Sequence, residues 1–288
     1  MKKYLSLIKF SHTIFALPFA LLGFALGTLK KGEGLDSMLL LYVLLCMVFA
    51  RSAAMAFNRY IDRDIDAANP RTAVREIPSG AISARSALFF VLVNCFAFIV
   101  VCAFINPLCL YLSPVALAVI LGYSYTKRFT ALCHLILGLG LGLAPLGAYL
   151  AVTASFSLEP VLIGMAVLFW VAGFDVIYAL QDADFDQGKG LFSIPSYFGP
   201  NRALMISRFL HLLCAVSLGL GLYLIVGFYE IYEVLVYVAW GFFVLMLIYQ
   251  HRLVRPDDLS KVNLAFFTTN GVASIVFCSL LILALDLG

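Results

Sequence analysis

Long apolar runs, each close to the length that crosses a bilayer, alternate along this chain with short polar segments. A spanning helix takes about 20 mostly apolar residues. The pattern divides into nine such windows: residues 13–29, 38–60, 87–105, 108–125, 132–151, 161–181, 203–228, 234–250 and 263–285. This predicts an all-α polytopic membrane protein of nine transmembrane helices, with little chain left for a soluble domain.

Composition agrees: 63% of the 288 residues are hydrophobic, 12% are charged, and the mean hydropathy is +1.02. The few charges set the expected orientation, because Lys and Arg collect in loops that stay in the cytoplasm. With the N-terminus inside, every Lys and Arg except Lys30 and Lys31 falls on or near the cytoplasmic side. The opposite loops at 106–107, 155–159 and 228–233 contain neither residue. The net charge of +3 reflects this bias, and no basic stripe suggests nucleic acid. Lys9, His12 and Pro18 interrupt the first apolar run, so we expect a retained helix and not a cleaved signal. Seven scattered cysteines without a Cys-x-x-Cys pair read as small packing residues.

Two copies of one carboxylate pattern stand out against this apolar background. The first is Asn58-Arg-Tyr-Ile-Asp62-Arg-Asp64-Ile-Asp66; the second, 120 positions later, is Asp182-Ala-Asp184-Phe-Asp186. Each sits where a long apolar segment runs out. Acidic side chains are costly near a bilayer, so matched clusters indicate a function. Steps of four residues keep one helical face, so Asn58, Asp62 and Asp66 share a face, as do Asp182 and Asp186, whereas Asp64 and Asp184 point away. Ile77-Pro78-Ser79 and Ile194-Pro195-Ser196 follow the respective clusters. A single domain with a parallel pseudo-repeat, 1–130 and 131–260, plus a last helix 261–288, accounts for both motifs.

Two clusters of hard oxygen ligands make a site for Mg²⁺, which in turn holds phosphate oxygens. Exposed carbonyls at these helix ends add to the attraction for a cation. Candidate anion partners are Arg51, Arg71, Arg75, Lys127, Arg128 and Lys189. Metal and basic groups together would neutralise a departing diphosphate, so the expected reaction is ionisation of a lipid diphosphate in a dry, aromatic-rich pocket.

These residues resemble the UbiA-type intramembrane prenyltransferases. The family's Asn-x-x-x-Asp-x-x-x-Asp corresponds to Asn58, Asp62 and Asp66. Its second motif, Asp-x-x-x-Tyr-Ala-x-x-Asp-x-x-x-Asp, corresponds to Asp175, Tyr178, Asp182 and Asp186. The segment from Tyr123 to Thr130 is similar to the family's Tyr-x-x-x-Lys-Arg-x-Thr loop, with Tyr123 or Tyr125 as its aromatic member. The resemblance implies nine helices around a central cavity open to the cytoplasm and laterally to lipid. It implies Mg²⁺-dependent transfer of a polyprenyl group from polyprenyl diphosphate to a ring carbon of a phenolic aromatic carboxylate, in a bacterial plasma membrane. Asn58, Asp62, Asp182 and Asp186 would hold Mg²⁺ on the diphosphate with Asp66 close by, and Lys127 and Arg128 would bind phosphate. Asp175 would act near the acceptor, as a general base toward the phenol, with Tyr178, Tyr125 and His12 as further acceptor candidates.

Where many members open with Arg-Pro, this chain has Lys9-Phe-Ser-His12. The segments Phe10 to Pro18, Ala50 to Asn58 and Asn69 to Thr72 are similar to the 4-hydroxybenzoate polyprenyltransferase-like branch, which includes menaquinone-route enzymes acting on a dihydroxynaphthoate. The motifs leave both acceptors open, one for ubiquinone and one for menaquinone biosynthesis. His134 and His211 read as structural, and His251 falls in a loop. Gly138-Leu-Gly140-Leu-Gly142 serves close helix approach. The competing class is an ion-coupled transporter, which also uses intramembrane carboxylates; acids at one membrane face and a parallel repeat speak against it.

Overall fold

The computed structural model describes residues 2–8, 15–32 and 34–287, and helix is the dominant structure among them. In chain order the helices are α1 (Lys2–Leu7), α2 (Leu17–Lys31), α3 (Ser37–Ile61), α4 (Arg63–Ala68), α5 (Ala84–Ile105), α6 (Pro107–Thr126), α7 (Cys133–Thr153), α8 (Leu158–Ala179), α9 (Ala183–Gly188), α10 (Ile194–Phe228), α11 (Glu233–Leu253) and α12 (Asn270–Asp286). Eight helical segments among the described residues are long and apolar enough to cross a membrane. The expected window at 13–29 corresponds to α2, whose 15 residues start at Leu17 with Pro18 in the first turn, where a missing N–H costs nothing. Pro18 therefore opens this helix instead of interrupting it.

The chain forms two compact units. The first holds Asp36–Tyr125 with the described residues of Met1–Thr13. Asp36 caps α3 by accepting from the Met38 and Leu39 N–H groups at 2.9 and 3.0 Å, and Ser83 caps α5 through the Ser86 N–H at 3.1 Å. Such caps contribute about 1 kcal/mol each. Leu7, Ala56, Ile82, Ala87 and Val91 form a small core where α1, α3 and α5 meet. Phe89, Phe96, Phe104 and Tyr111 are exposed; their rings belong against lipid, the solvent for which such a surface is suited.

The second unit holds Thr126–Gly288 with Ile14–Leu35. Helix α8 is its centre, packed against α7 and α10. Glycine sets how close these helices come: a Cβ on Gly142 would lie 2.5 Å from the Gly164 carbonyl oxygen, and one on Gly138 would lie 2.2 Å from that of Leu168. The close approach expected of this glycine stripe is thus made by Gly138 and Gly142 against α8. Trp170 anchors an aromatic cluster with Phe19, Phe174 and Phe243 and donates through Nε1 to Asn270 Oδ1 at 3.0 Å.

Two expectations are corrected here. The stretch between the apolar windows that end at 181 and open at 203 includes the start of α10: Ser193 and Ser196 form a reciprocal cap around Pro195. The helix then kinks at Gly199, with φ 78 and ψ 165, a conformation glycine adopts without a Cβ clash, directly before Pro200. His251 lies in the last turn of α11, not in a loop, and its Nε2 is 2.9 Å from His211 Nδ1.

Candidate functional site

Both acidic motifs sit on the same local backbone device. Helix α3 ends at Ile61, Asp62 adopts φ −90 and ψ 5, and the six-residue α4 follows. In the second unit, a short tight turn at Leu180–Asp182 follows α8; Asp182 adopts φ −109 and ψ 3, and the six-residue α9 follows. Around Asp62 the four-residue ladder is kept, with Asp62 N–H donating to the Asn58 carbonyl at 2.9 Å and Asp66 N–H to that of Asp62 at 2.7 Å. The predicted shared face therefore survives the break. Asp62 and Asp66 are 2% and 3% exposed, while the Asp64 side chain is 86% exposed. Asp184 is exposed as well, and Asp182 and Asp186 are partly buried.

In the first unit, Asn58 Nδ2 donates to Asp62 Oδ2 at 3.1 Å, and Arg75 Nη1 donates to Asp66 Oδ1 at 2.6 Å. Asp66 Oδ2 is buried with no hydrogen-bond partner among the described residues. Carboxylate oxygens held away from water in this manner suit a hard divalent cation. Arg75, expected among the diphosphate contacts, is thus engaged with a member of the acidic motif. Arg71 is exposed, with its backbone N–H donating to Asn69 Oδ1 at 3.0 Å. Arg51 is partly buried beside Tyr123. Tyr125 is exposed, its ring 5.9 Å from that of Phe57.

Arg59 was not among the expected residues. It is 7% exposed, neighbours Arg75, Asp66, Tyr123 and Glu76, and donates to Asn58 Oδ1 at 3.4 Å. Its signal in the sequence is a guanidinium inside an apolar span, which is costly unless an anion answers it.

In the second unit, Asp186 is set among Lys127, Asp182 and Ser193. Lys127 also receives the Phe192 N–H on its carbonyl at 2.7 Å, which ties the segment after the acidic motif to the end of α6. Arg128 follows Lys127 and is partly buried, and Lys189 is exposed. Tyr178 stacks on Phe266 with ring centroids 4.2 Å apart. Asp175, seven residues before Asp182 on α8, lies 2.7 Å from Nδ1 of His134, a residue read from sequence as merely structural. His12 lies outside the described residues. No three His, Cys, Asp or Glu side chains among the described residues gather into a metal site of their own.

Comparison with known proteins bears on this arrangement. The profile of the UbiA prenyltransferase family matches residues 16–272. The chain is 32% identical over 252 residues to a protein named 4-hydroxybenzoate octaprenyltransferase in Tolumonas auensis, covering 86% of this chain and 85% of that one. A protein of the same name in Aliivibrio fischeri is also 32% identical, over 85% of this chain and 83% of its own. Among solved structures, the apo form of a UbiA homolog from Aeropyrum pernix K1 superposes with a TM-score of 0.81 at 32% identity, covering 93% of this chain and 96% of that one. A UbiA homolog from Archaeoglobus fulgidus, bound to DMAPP and Mg²⁺, has a TM-score of 0.76 at 22% identity, with 99% of each chain covered.

Proposed function

Because this chain belongs to the UbiA prenyltransferase family, we propose that it transfers a polyprenyl group from polyprenyl diphosphate to a ring carbon of 4-hydroxybenzoate, in ubiquinone biosynthesis. Its relatives in Tolumonas auensis and Aliivibrio fischeri bear the name of that activity, at an identity and coverage that span most of both chains. We place the enzyme in a bacterial inner membrane, with the N-terminus and both acidic motifs on the cytoplasmic side, following the Lys and Arg bias of the loops. The motifs then occupy matching places in the two copies of a parallel repeat, 1–130 and 131–260.

The observation that carries the reading is the shared junction: each motif sets an aspartate, Asp62 or Asp182, between a long span and a six-residue helix. Asn58, Asp62, Asp66, Asp182 and Asp186 would hold Mg²⁺ on the diphosphate. When bound, Mg²⁺ supplies charge neutralisation for the leaving diphosphate. Arg51, Arg71, Lys127 and Arg128 answer the remaining phosphate charge. Arg75 holds Asp66 in place before substrate arrives.

The carbon–oxygen bond to the prenyl group breaks with its electron pair leaving on diphosphate. The ring carbon ortho to the acceptor hydroxyl attacks the allylic cation, and the ring then loses a proton. Asp175 orients the phenol and takes the hydroxyl proton as general base during the attack, then returns it to the oxygen as the ring proton passes to the released diphosphate; Tyr178 lies beside it on the same helix. Apolar helix walls keep water from the cation.

The test is prenyl transfer by membranes carrying the protein, with labelled polyprenyl diphosphate and a panel of phenolic acids. Prenylated 4-hydroxybenzoate supports the assignment. Product only with a dihydroxynaphthoate moves the acceptor to menaquinone biosynthesis, and no product with any acceptor overturns the reading.

A further inference from the structure

His134 is 2% exposed, in the first turn of α7, and both of its ring nitrogens are engaged. Nε2 accepts the backbone N–H of Ile194 at 3.2 Å, so that nitrogen carries no proton. The proton therefore sits on Nδ1, where it is donated to Asp175 Oδ2 at 2.7 Å. This fixes three things at once: the tautomer, the rotation of the ring, and the carboxylate oxygen of Asp175 that faces inward. The Asp175 side chain remains 24% exposed beyond that contact.

The other end of the imidazole is equally placed. Ile194 opens α10 and ends the segment that follows Asp186. That segment is also tied down two residues before Ile194: Phe192 N–H donates to the Lys127 carbonyl at 2.7 Å, and Cys133 Sγ donates to the Phe192 carbonyl at 3.5 Å. One buried ring thus joins the α8 carboxylate to the start of α10.

We infer that His134 is a positioning residue for the acceptor half of the reaction, holding Asp175 aimed at the phenolic acid through a donated Nδ1–H hydrogen bond. This rests on the role given to Asp175 under the proposed function. A residue that orients a reacting group through one hydrogen bond changes activity by about 10- to 100-fold when removed, by analogy with the outer partners of metal ligands.

The experiment is steady-state kinetics of the full-length protein in membranes, varying 4-hydroxybenzoate and polyprenyl diphosphate separately. His134→Ala is expected to lower kcat/KM for the phenolic acid about 10-fold or more, with KM for the diphosphate within about twofold. His134→Asn, whose amide nitrogen stands near the Nδ1 position, is expected to recover most of the loss. His134→Gln, which restores an acceptor for Ile194 but no donor for Asp175, is not. In an Asp175→Asn background, His134→Ala is expected to cost little more, since the two act as one unit.

Equal activity of the Asn and Gln variants overturns the inference, as does a full additive loss in the double variant. If His134→Ala does not fold, the Asn and Gln pair still decides. Full turnover by Asp175→Asn overturns the Asp175 role and this inference with it, while leaving the prenyl transfer itself standing.

Discussion

Arg75 Nη1 donates to Asp66 Oδ1 at 2.6 Å, with the Asp66 side chain 4% exposed and that of Arg75 22% exposed. The contact spans nine residues and closes the loop after α4 back onto the acidic motif. Its energetic weight lies in the penalty for breaking it, because a buried carboxylate without its cation is strongly unfavourable. Arg75→Ala is expected to lower stability by about 3 kcal/mol, near the bottom of the range for a broken buried pair because Arg75 is partly exposed. Thermal unfolding in detergent, beside Arg75→Lys, checks it; Arg75→Lys should lose less.

The acidic motifs predict a contrast between neighbours two residues apart. Asp62 is 2% exposed and Asp64 has an 86% exposed side chain. Asp62→Ala is expected to lower prenyl transfer by about 10²- to 10³-fold, the cost of losing one charge-stabilising group. Asp64→Ala should stay within about twofold, as for an ordinary surface change. The same contrast is expected between Asp182→Ala and Asp184→Ala, read from initial rates at equal amounts of folded protein.

Close helix packing predicts a second contrast, in stability. A Cβ on Gly142 would meet the Gly164 carbonyl oxygen at 2.5 Å, whereas one on Gly147 meets nothing within 4 Å. Gly142→Ala is expected to cost about 1–3 kcal/mol through overpacking. Gly147→Ala should be neutral or add about 0.5–1 kcal/mol of helix preference. Melting temperatures of the two variants in the same detergent check this, and equal values would refute the packing account.

Much of this was legible in the sequence because it depends on period and length. The apolar windows forecast the spans, and four-residue steps forecast that Asp62 and Asp66 share a buried face while Asp64 does not. What spacing could not show are contacts between distant segments. His134 and Asp175 are 41 positions apart on different helices, and nothing in a one-dimensional pattern pairs them. Arg75 read as a diphosphate partner, and its bond to Asp66 was out of reach because it is set by a loop fold and not by helical period. The start of α10 was hidden for a different reason: the apolar window opens only at residue 203, beyond Pro195, Gly199 and Pro200, yet Pro195 follows a serine cap and Gly199 only kinks the helix.

The most direct test of the central claim is the metal dependence of prenyl transfer from labelled polyprenyl diphosphate to 4-hydroxybenzoate. With wild-type membranes, the account predicts loss of product in EDTA and full return on adding excess Mg²⁺, with little return in Asp62→Ala or Asp182→Ala. Undiminished product in EDTA, or wild-type rates from both variants, would contradict it.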